Sequence, residues 1–95
     1  MHDELETAIA ESLARGEPVA LATVAEVAGP GLRPGLRMLI WKAGHTRGDL
    51  GWPRLNQRVA LYAEQLLERG ARPVEKPFDG QGGRVVVRFE FFKSE

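Results

Sequence analysis

The alternation of apolar and polar residues is clearest between residues 80 and 92, which read GQGGRVVVRFEFF. Every second residue from Val85 to Phe91 is apolar, and this period of two is typical of a strand with one buried face. At about 0.8 kcal/mol per buried methylene, such a face contributes a large share of a small core. The glycines before the strand permit close backbone approach, so their N–H groups can face a ligand.

Two segments show the spacing of apolar residues that is typical of amphipathic helices. The first covers residues 3–15, with Asp3 as the expected N-cap and Gly16 as the stop signal. The second begins at Pro53, a residue favoured in the first turn of a helix, and continues to Arg69. We therefore expect two helices, one at the start of the chain and one in its second half.

The segment 19–28, VALATVAEVA, predicts a strand with apolar residues on both faces. Such a strand usually lies in the centre of a sheet and is covered on both sides. Period-two alternation places Val19, Leu21 and Val27 on one face. The other face carries alanines, which indicate close packing against a helix.

Three further strands complete the predicted sheet. Residues 37–42 predict a second buried strand, and a hairpin turn after it leads to a short strand over residues 47–50. Residues 72–78 contain two prolines, which place that strand at an edge of the sheet. The pattern as a whole predicts an α+β fold in which two helices pack on a mixed, largely antiparallel sheet of four or five strands.

Length and composition narrow the class of protein. The 95 residues predict a single domain, 1–95, and the absence of cysteine excludes disulfides and thiolate metal sites. The two histidines do not have the spacing of metal ligands. No apolar run approaches the length of a membrane span, and the acidic start does not resemble a signal peptide. We expect a cytoplasmic protein with no membrane partner.

Charge is distributed unevenly although the net charge is zero. Residues 1–26 carry six acidic residues against one arginine, and residues 33–58 carry six basic residues against one aspartate. A basic middle segment in a neutral chain favours a local anion site over nucleic-acid binding. The alternative is that these arginines are solvated residues of loops and strand edges.

Three loops rich in glycine carry the candidate site: residues 29–36, 48–54 and 80–83. Arginines in and after the first two loops could neutralise a phosphate group, and the N-terminus of the second helix favours an anion. Converging loops would form one site from these cofactor-binding candidates: Arg33, Arg37, Asp49, Trp52, Arg54, Arg58, Gln81, Gly82 and Gly83.

Two of these candidates have a structural alternative. Trp52 offers a stacking surface for a planar ligand, or it is a hydrophobic plug over the start of the helix. Asp49 and Asp79 are the acidic residues of the glycine-rich loops, and such residues often cap turns. The sequence shows no recognisable nucleophile–base arrangement and no paired buried carboxylates, so it favours a non-catalytic role.

Three blocks of the chain together resemble the N-terminal domains of the XdhC/CoxI family, accessory proteins of xanthine dehydrogenase and carbon monoxide dehydrogenase. The first block is VALATVAEV followed by a Gly/Pro/Arg loop and PGLRMLI. The second, GDLGWPRLNQRV, is similar to the family's loop of the type GSxxGGCxE, and the third, GQGGRVVVRFE, is similar to its GCGG strand opening. The resemblance covers nearly the whole chain.

The chain departs from the family pattern at the positions where the family has cysteines. Arg54 stands where the family loop has cysteine, Asn56 where it has glutamate, and Gln81 where the GCGG motif has cysteine. Trp52 and Pro53 replace two glycines of the loop. The 95 residues contain no counterpart of the family's C-terminal dinucleotide-binding-like domain.

The resemblance implies an accessory or binding role in handling the molybdenum cofactor, molybdopterin, for molybdenum hydroxylases. The expected ligand is a phosphorylated pterin or a similar anion, and the implied partner is a molybdenum hydroxylase or a maturation protein. The alternative is a cofactor-free interaction or scaffold protein, homodimeric or hetero-oligomeric, in a maturation complex. A homo-oligomer is expected in either case, because two helices leave sheet surface to cover.

Overall fold

The computed structural model describes residues 4–28, 33–70, 72–80 and 83–93. Two helices and five strands follow one another along the chain: α1 (Glu4–Ala14), β1 (Val19–Ala28), β2 (Arg37–Trp41), β3 (Thr46–Gly48), α2 (Pro53–Arg69), β4 (Val74–Gly80) and β5 (Gly83–Phe92). The predicted α+β class is confirmed. Asp3, the expected cap of α1, lies outside the described residues.

The five strands form one sheet in the order β3-β2-β1-β5-β4. Each neighbouring pair is antiparallel, so the sheet has the largely antiparallel character that was predicted. β1 lies in the centre between β2 and β5, as expected for a strand that is apolar on both faces. β4 lies at one edge, which agrees with Pro77, because a proline has no N–H to donate to a further strand.

α2 packs on one face of the sheet and forms the larger core. Its buried residues Leu55, Val59 and Ala63 contact the alanine-rich face of β1, where Ala20 and Ala22 are fully buried. The small alanine side chains let the helix approach the sheet closely. Phe78 and Phe89 complete the core on the β4–β5 side, and Tyr62 meets the ring of Phe89 edge-on at 5.1 Å.

α1 covers part of the opposite face. Ala8 and Ser12 are its buried residues, and Ala8 packs against Val19 and Leu39 of the sheet. Ser12 Oγ donates to the Ala8 carbonyl at 2.9 Å and accepts a hydrogen bond of 2.7 Å from Trp41 Nε1. This bond ties the first helix to β2, and it satisfies the hydroxyl of a residue that is fully buried.

A bulge in β1 corrects one prediction. The register of β1 against β5 shifts between Val24 and Glu26. A bulge adds one residue to a strand, so the alternation of faces is interrupted there. Val27 therefore packs against the α2 core with Val24, and its predicted place on the face of Val19 was wrong.

The bounds of β3 and β4 also differ from prediction. β3 ends at Gly48 instead of continuing to residue 50, because Leu50 leaves the strand and is fully buried in the α2 core. β4 begins at Val74, two residues after its predicted start, and ends at Gly80. Within the described residues, neither helix combines the length and the apolar character needed to cross a membrane.

Candidate functional site

Strand direction brings the ends of the three predicted loops to one end of the sheet. β1 ends there at Ala28, and β2 begins there at Arg37. β4 ends and β5 begins at the same end, and β3 runs towards it and finishes at Gly48. We call this region the loop end. Residues 29–32 of the first loop, and Gln81 and Gly82 of the third, lie outside the described residues.

Hydrogen bonds among side chains and backbone hold the loop between β3 and α2. The Asn56 side chain accepts a hydrogen bond from the Leu50 N–H at 2.9 Å and donates one to Asp49 Oδ1 at 2.9 Å. Asp49 Oδ1 also accepts from the Gly51 N–H at 2.7 Å. The Asn56 amide, and then the Gly51 N–H, lower the pKa of Asp49 below its ordinary value of 3.8. Asp49 therefore caps the turn before α2, which is the structural role that the sequence offered as the alternative to ligand binding.

Gly48 is required where this loop begins. Its φ is +99°, and a Cβ at this position would stand 2.5 Å from the Arg37 carbonyl oxygen. Both facts exclude a side chain, because L-residues rarely adopt this φ and no Cβ contacts an oxygen so closely. The glycine therefore serves the close packing of β3 on β2.

Trp52 is the N-cap residue of α2. It is extended, with φ −122° and ψ 122°, and its side chain makes no capping hydrogen bond. The side chain is half-buried and packs against the α2 core. This position corresponds to the hydrophobic plug that was the alternative to a stacking surface.

Arg54 lies in the first turn of α2 and is exposed. Among the described residues it has no ion-pair partner, and the first turn of α2 contains no acidic residue. The helix N-terminus has no side-chain cap and no acidic residue in its first turn, and the nearby Asp49 carboxylate is hydrogen-bonded to Gly51 and Asn56. Arg54 and this helix end together form the part of the loop end best suited to an anion.

Arg58 has a different role, one turn further along α2. Its Nη1 donates to the carbonyl oxygen of Asp79 at 2.8 Å, and its guanidinium carbon lies 5.7 Å from the centre of the Phe78 ring. Arg58 therefore fastens the β4–β5 hairpin to the helix. The carboxylate of Asp79 lies 3.6 Å from Nε of Arg84, and both side chains are exposed.

The remaining predicted residues lie around the same end but not on one face. Arg33 is exposed and Gly83 is the first residue of β5. Arg37 alternates with Met38, which belongs to the α2 core, so Arg37 lies on the face that α1 packs against. Arg54 and Arg37 are consequently presented on different sides of the sheet. In the described ranges, no three His, Asp or Glu residues are grouped as metal ligands.

Sequence reasoning did not assign a function to Asn56 or to the Asp79 carbonyl. Asn56 bridges two groups of the preceding loop, and a signal for this was present in the sequence: an amide side chain in the first turns of a helix that follows Asp-Leu-Gly. The sequence gives no signal for the hydrogen bond from Arg58 to the Asp79 carbonyl, because every residue has a backbone carbonyl.

The fold and the loop end together define a small α+β module with loops and an uncapped helix N-terminus at one end of an antiparallel sheet. The chain belongs to the XdhC and CoxI family, whose sequence model matches residues 12–76. It is also similar to a solved structure described as a xanthine dehydrogenase from Bacillus halodurans, with 25% sequence identity and a TM-score of 0.74. That similarity covers 92% of this chain and 29% of the other protein. No curated protein sequence matches the chain.

Proposed function

We propose that this chain is a non-catalytic accessory module for molybdenum hydroxylases, and that its loop end binds the phosphate group of a phosphorylated pterin such as the molybdenum cofactor. Membership of the XdhC and CoxI family supports the accessory role. The observation that carries the ligand proposal is the exposed Arg54 on the uncapped N-terminus of α2. A phosphate group needs a cation and N–H donors that no nearby carboxylate occupies, and the first turn of α2 meets both conditions.

The neighbouring groups are compatible with such an anion. The Asp49 carboxylate already accepts two hydrogen bonds within its own loop, so it is directed towards Gly51 and Asn56. The first turn of α2 itself contains no carboxylate. When bound, the cofactor would bring the pterin and its phosphate as cargo, and this chain would hold and orient the phosphate. A step that needs a protein thiol has no residue to perform it, because the chain has no cysteine.

Ligand titration tests the proposal. Purified protein is titrated anaerobically with molybdenum cofactor released from a molybdoenzyme, and separately with inorganic phosphate, while tryptophan fluorescence is recorded. We expect saturable binding that Arg54→Ala weakens by about tenfold or more, because a charge-assisted hydrogen bond contributes about 1.5–3 kcal/mol.

The control variant is Arg47→Ala, which removes an exposed cation of β3 on the face of the sheet opposite α2. It should bind the cofactor as the unmodified protein does. The absence of a saturable signal, or equal losses in both variants, would contradict the proposal.

A second function is favoured by the packing and hydrogen bonds of two side chains in and after the second loop. Trp52 packs on the core, and Asn56 is hydrogen-bonded to the loop at the positions where the family pattern has glycine and glutamate. We propose as the alternative a cofactor-free interaction protein of a maturation complex, homodimeric or hetero-oligomeric. Light scattering after size exclusion tests its homodimeric form, and a strict monomer at high protein concentration would contradict that form.

A further inference from the structure

A row of four cations follows the line along which α2 and β4 meet. Arg54, Arg58 and Arg69 lie on the same side of α2, within about 60° of one another at 100° per residue. Lys76 of β4 faces them, because its Nζ lies 4.9 Å from the centre of the Tyr62 ring of α2. We call these four residues, together with the rings of Tyr62 and Phe78, the α2–β4 seam.

The cations of the α2–β4 seam are not neutralised within the described chain. None of the four forms an ion pair with a described residue. Three arginines on other parts of the surface do have carboxylate partners: Arg15 with Glu17, Arg84 with Asp79, and Arg88 with Glu75. The seam is therefore a local excess of positive charge on a chain whose net charge is zero.

Glu64, an acidic residue of α2, lies away from the α2–β4 seam. Glu64 Oε1 would lie 3.5 Å from a Cβ at Gly44, so this carboxylate lies towards the β2–β3 turn, whereas Glu68 lies about 40° from Arg54 around the helix. The basic side faces the edge strand β4. An acidic ligand would thus be attracted to the side of α2 next to β4 and repelled by Glu64 on the side of the β2–β3 turn.

The floor of the seam consists of aromatic rings that are already covered. Phe78 is only 4% exposed, and both Arg58 and Lys76 lie over its ring, at 5.7 and 5.8 Å from the centre. Tyr62 meets Phe78 edge-on at 6.1 Å. Because no ring face is open, a nucleic-acid base has no surface on which to stack, whereas carboxylates can reach the cations from outside.

The seam is long compared with a single phosphate group. Arg54 and Arg69 are fifteen residues apart on the helix, which corresponds to about 22 Å. An extended peptide covers this length with roughly seven residues at about 3.3 Å each. A linear array of cations at this scale matches a chain of carboxylates better than one small anion.

We propose that the α2–β4 seam binds an extended acidic segment of a partner protein. The occupant is identified by charge complementarity along the seam, and the zero net charge and the closed aromatic floor disfavour a nucleic acid. The proposal does not rest on cofactor binding at the loop end. Lys76 and Arg69 lie outside the loop-end candidates, so variants of these two residues test the seam alone.

Fluorescence anisotropy with a labelled octaglutamate peptide tests the proposal at low ionic strength, about 20 mM NaCl, where surface charges are weakly screened. Lys76→Gln combined with Arg69→Gln should weaken binding by about tenfold, since each exposed ion pair contributes modestly. Lys42→Gln combined with Arg47→Gln removes the same charge from exposed positions of the β2–β3 hairpin and should change affinity less than threefold. An octaglutamine peptide should not bind.

Backbone amide NMR of the unmodified protein gives a second readout that does not depend on the folding of a variant. Octaglutamate should shift the amide signals of the seam residues and leave those of β3 unchanged. The proposal is overturned if the peptide does not bind, if both double variants lose affinity equally, or if oligothymidylate binds more tightly. Self-association that the Lys76/Arg69 variant abolishes would overturn it as well, because the occupant would then be a second copy of the chain.

Discussion

Removing the side-chain amide of Asn56 tests whether this residue holds the loop that precedes α2. In Asn56→Ala, the Leu50 N–H loses its acceptor and Asp49 loses one of its two donors. Leu50 is fully buried, so an unpaired N–H at this residue costs about 1–3 kcal/mol. The exposed hydrogen bond to Asp49 adds about 0.5–1 kcal/mol. Alanine returns up to about 0.7 kcal/mol through its higher helix propensity.

The net loss is about 2 kcal/mol, a large fraction of the stability of a small domain. For a domain of this size, such a change lowers Tm by roughly 8–16 °C. Urea unfolding followed by circular dichroism measures it as a lower midpoint with an unchanged slope. The matched control is Gln57→Ala, an exposed neighbour on the same helix, which should be neutral or slightly stabilising.

The reasoning is refuted if Asn56→Ala and Gln57→Ala unfold within about 0.5 kcal/mol of each other, the usual range of surface substitutions. That result would mean that water replaces the amide at Leu50 without cost. It would also remove the structural explanation for asparagine at the position where the family pattern has glutamate.

Three further predictions concern other parts of the fold. Gly48→Ala should destabilise the protein by about 3 kcal/mol, because the new Cβ would overlap a backbone carbonyl oxygen. Gly35 has a similar φ of +95° but open space around it, so Gly35→Ala should cost about 1 kcal/mol. Thermal unfolding of the two variants measures the difference. The lowered pKa of Asp49 means that the unfolded chain binds its proton first, so this contribution to stability is lost as pH falls below 3.8. Asp49→Asn should therefore be less stable than the unmodified protein at pH 6, with the difference in urea midpoint shrinking at pH 3; a constant difference would be inconsistent with this. Ser12→Ala should cost about 1–2 kcal/mol by leaving an indole N–H unpaired, while Thr7→Ala on the exposed side of the same helix should be nearly neutral in chemical denaturation.

The elements with long apolar patterns could be predicted from the sequence almost to the residue. β1 and α2 have their predicted bounds, Val19–Ala28 and Pro53–Arg69. β1 is apolar on both faces, and such a strand is expected in the centre of a sheet. In α2 the proline at the start and the left-handed Gly70 at the end mark both boundaries locally.

The bulge in β1 and the burial of Leu50 could not be predicted in this way. The register shift near Glu26 depends on how β1 aligns with β5, which is more than fifty residues away in the chain. Leu50 follows a three-residue strand, its side chain lies in the α2 core, and its N–H is paired by the side chain of Asn56. Both features arise from tertiary contacts that local periodicity does not contain.

For the candidate site, the sequence indicated where the loops are but not the directions of their side chains. Strand order and direction bring the described ends of the three loops to one end of the sheet. Arg37 and Arg54 nevertheless lie on different sides of the sheet, because Arg37 alternates along β2 with Met38, which packs in the α2 core. Whether the predicted residues bind a cofactor stays a prediction, and the titration above tests it.

The position of β1 between an early strand and the last one has a consequence for biosynthesis. β2 leaves the ribosome soon after β1 and can pair with it at once, whereas β5 is completed only at Phe92. During that interval the nascent chain presents a strand that is apolar on both faces and has one unpaired edge. Chaperones protect segments of this kind from aggregation. Slow translation across α2 and β4 would lengthen this exposure, so codon choice in that stretch is expected to influence the yield of native protein.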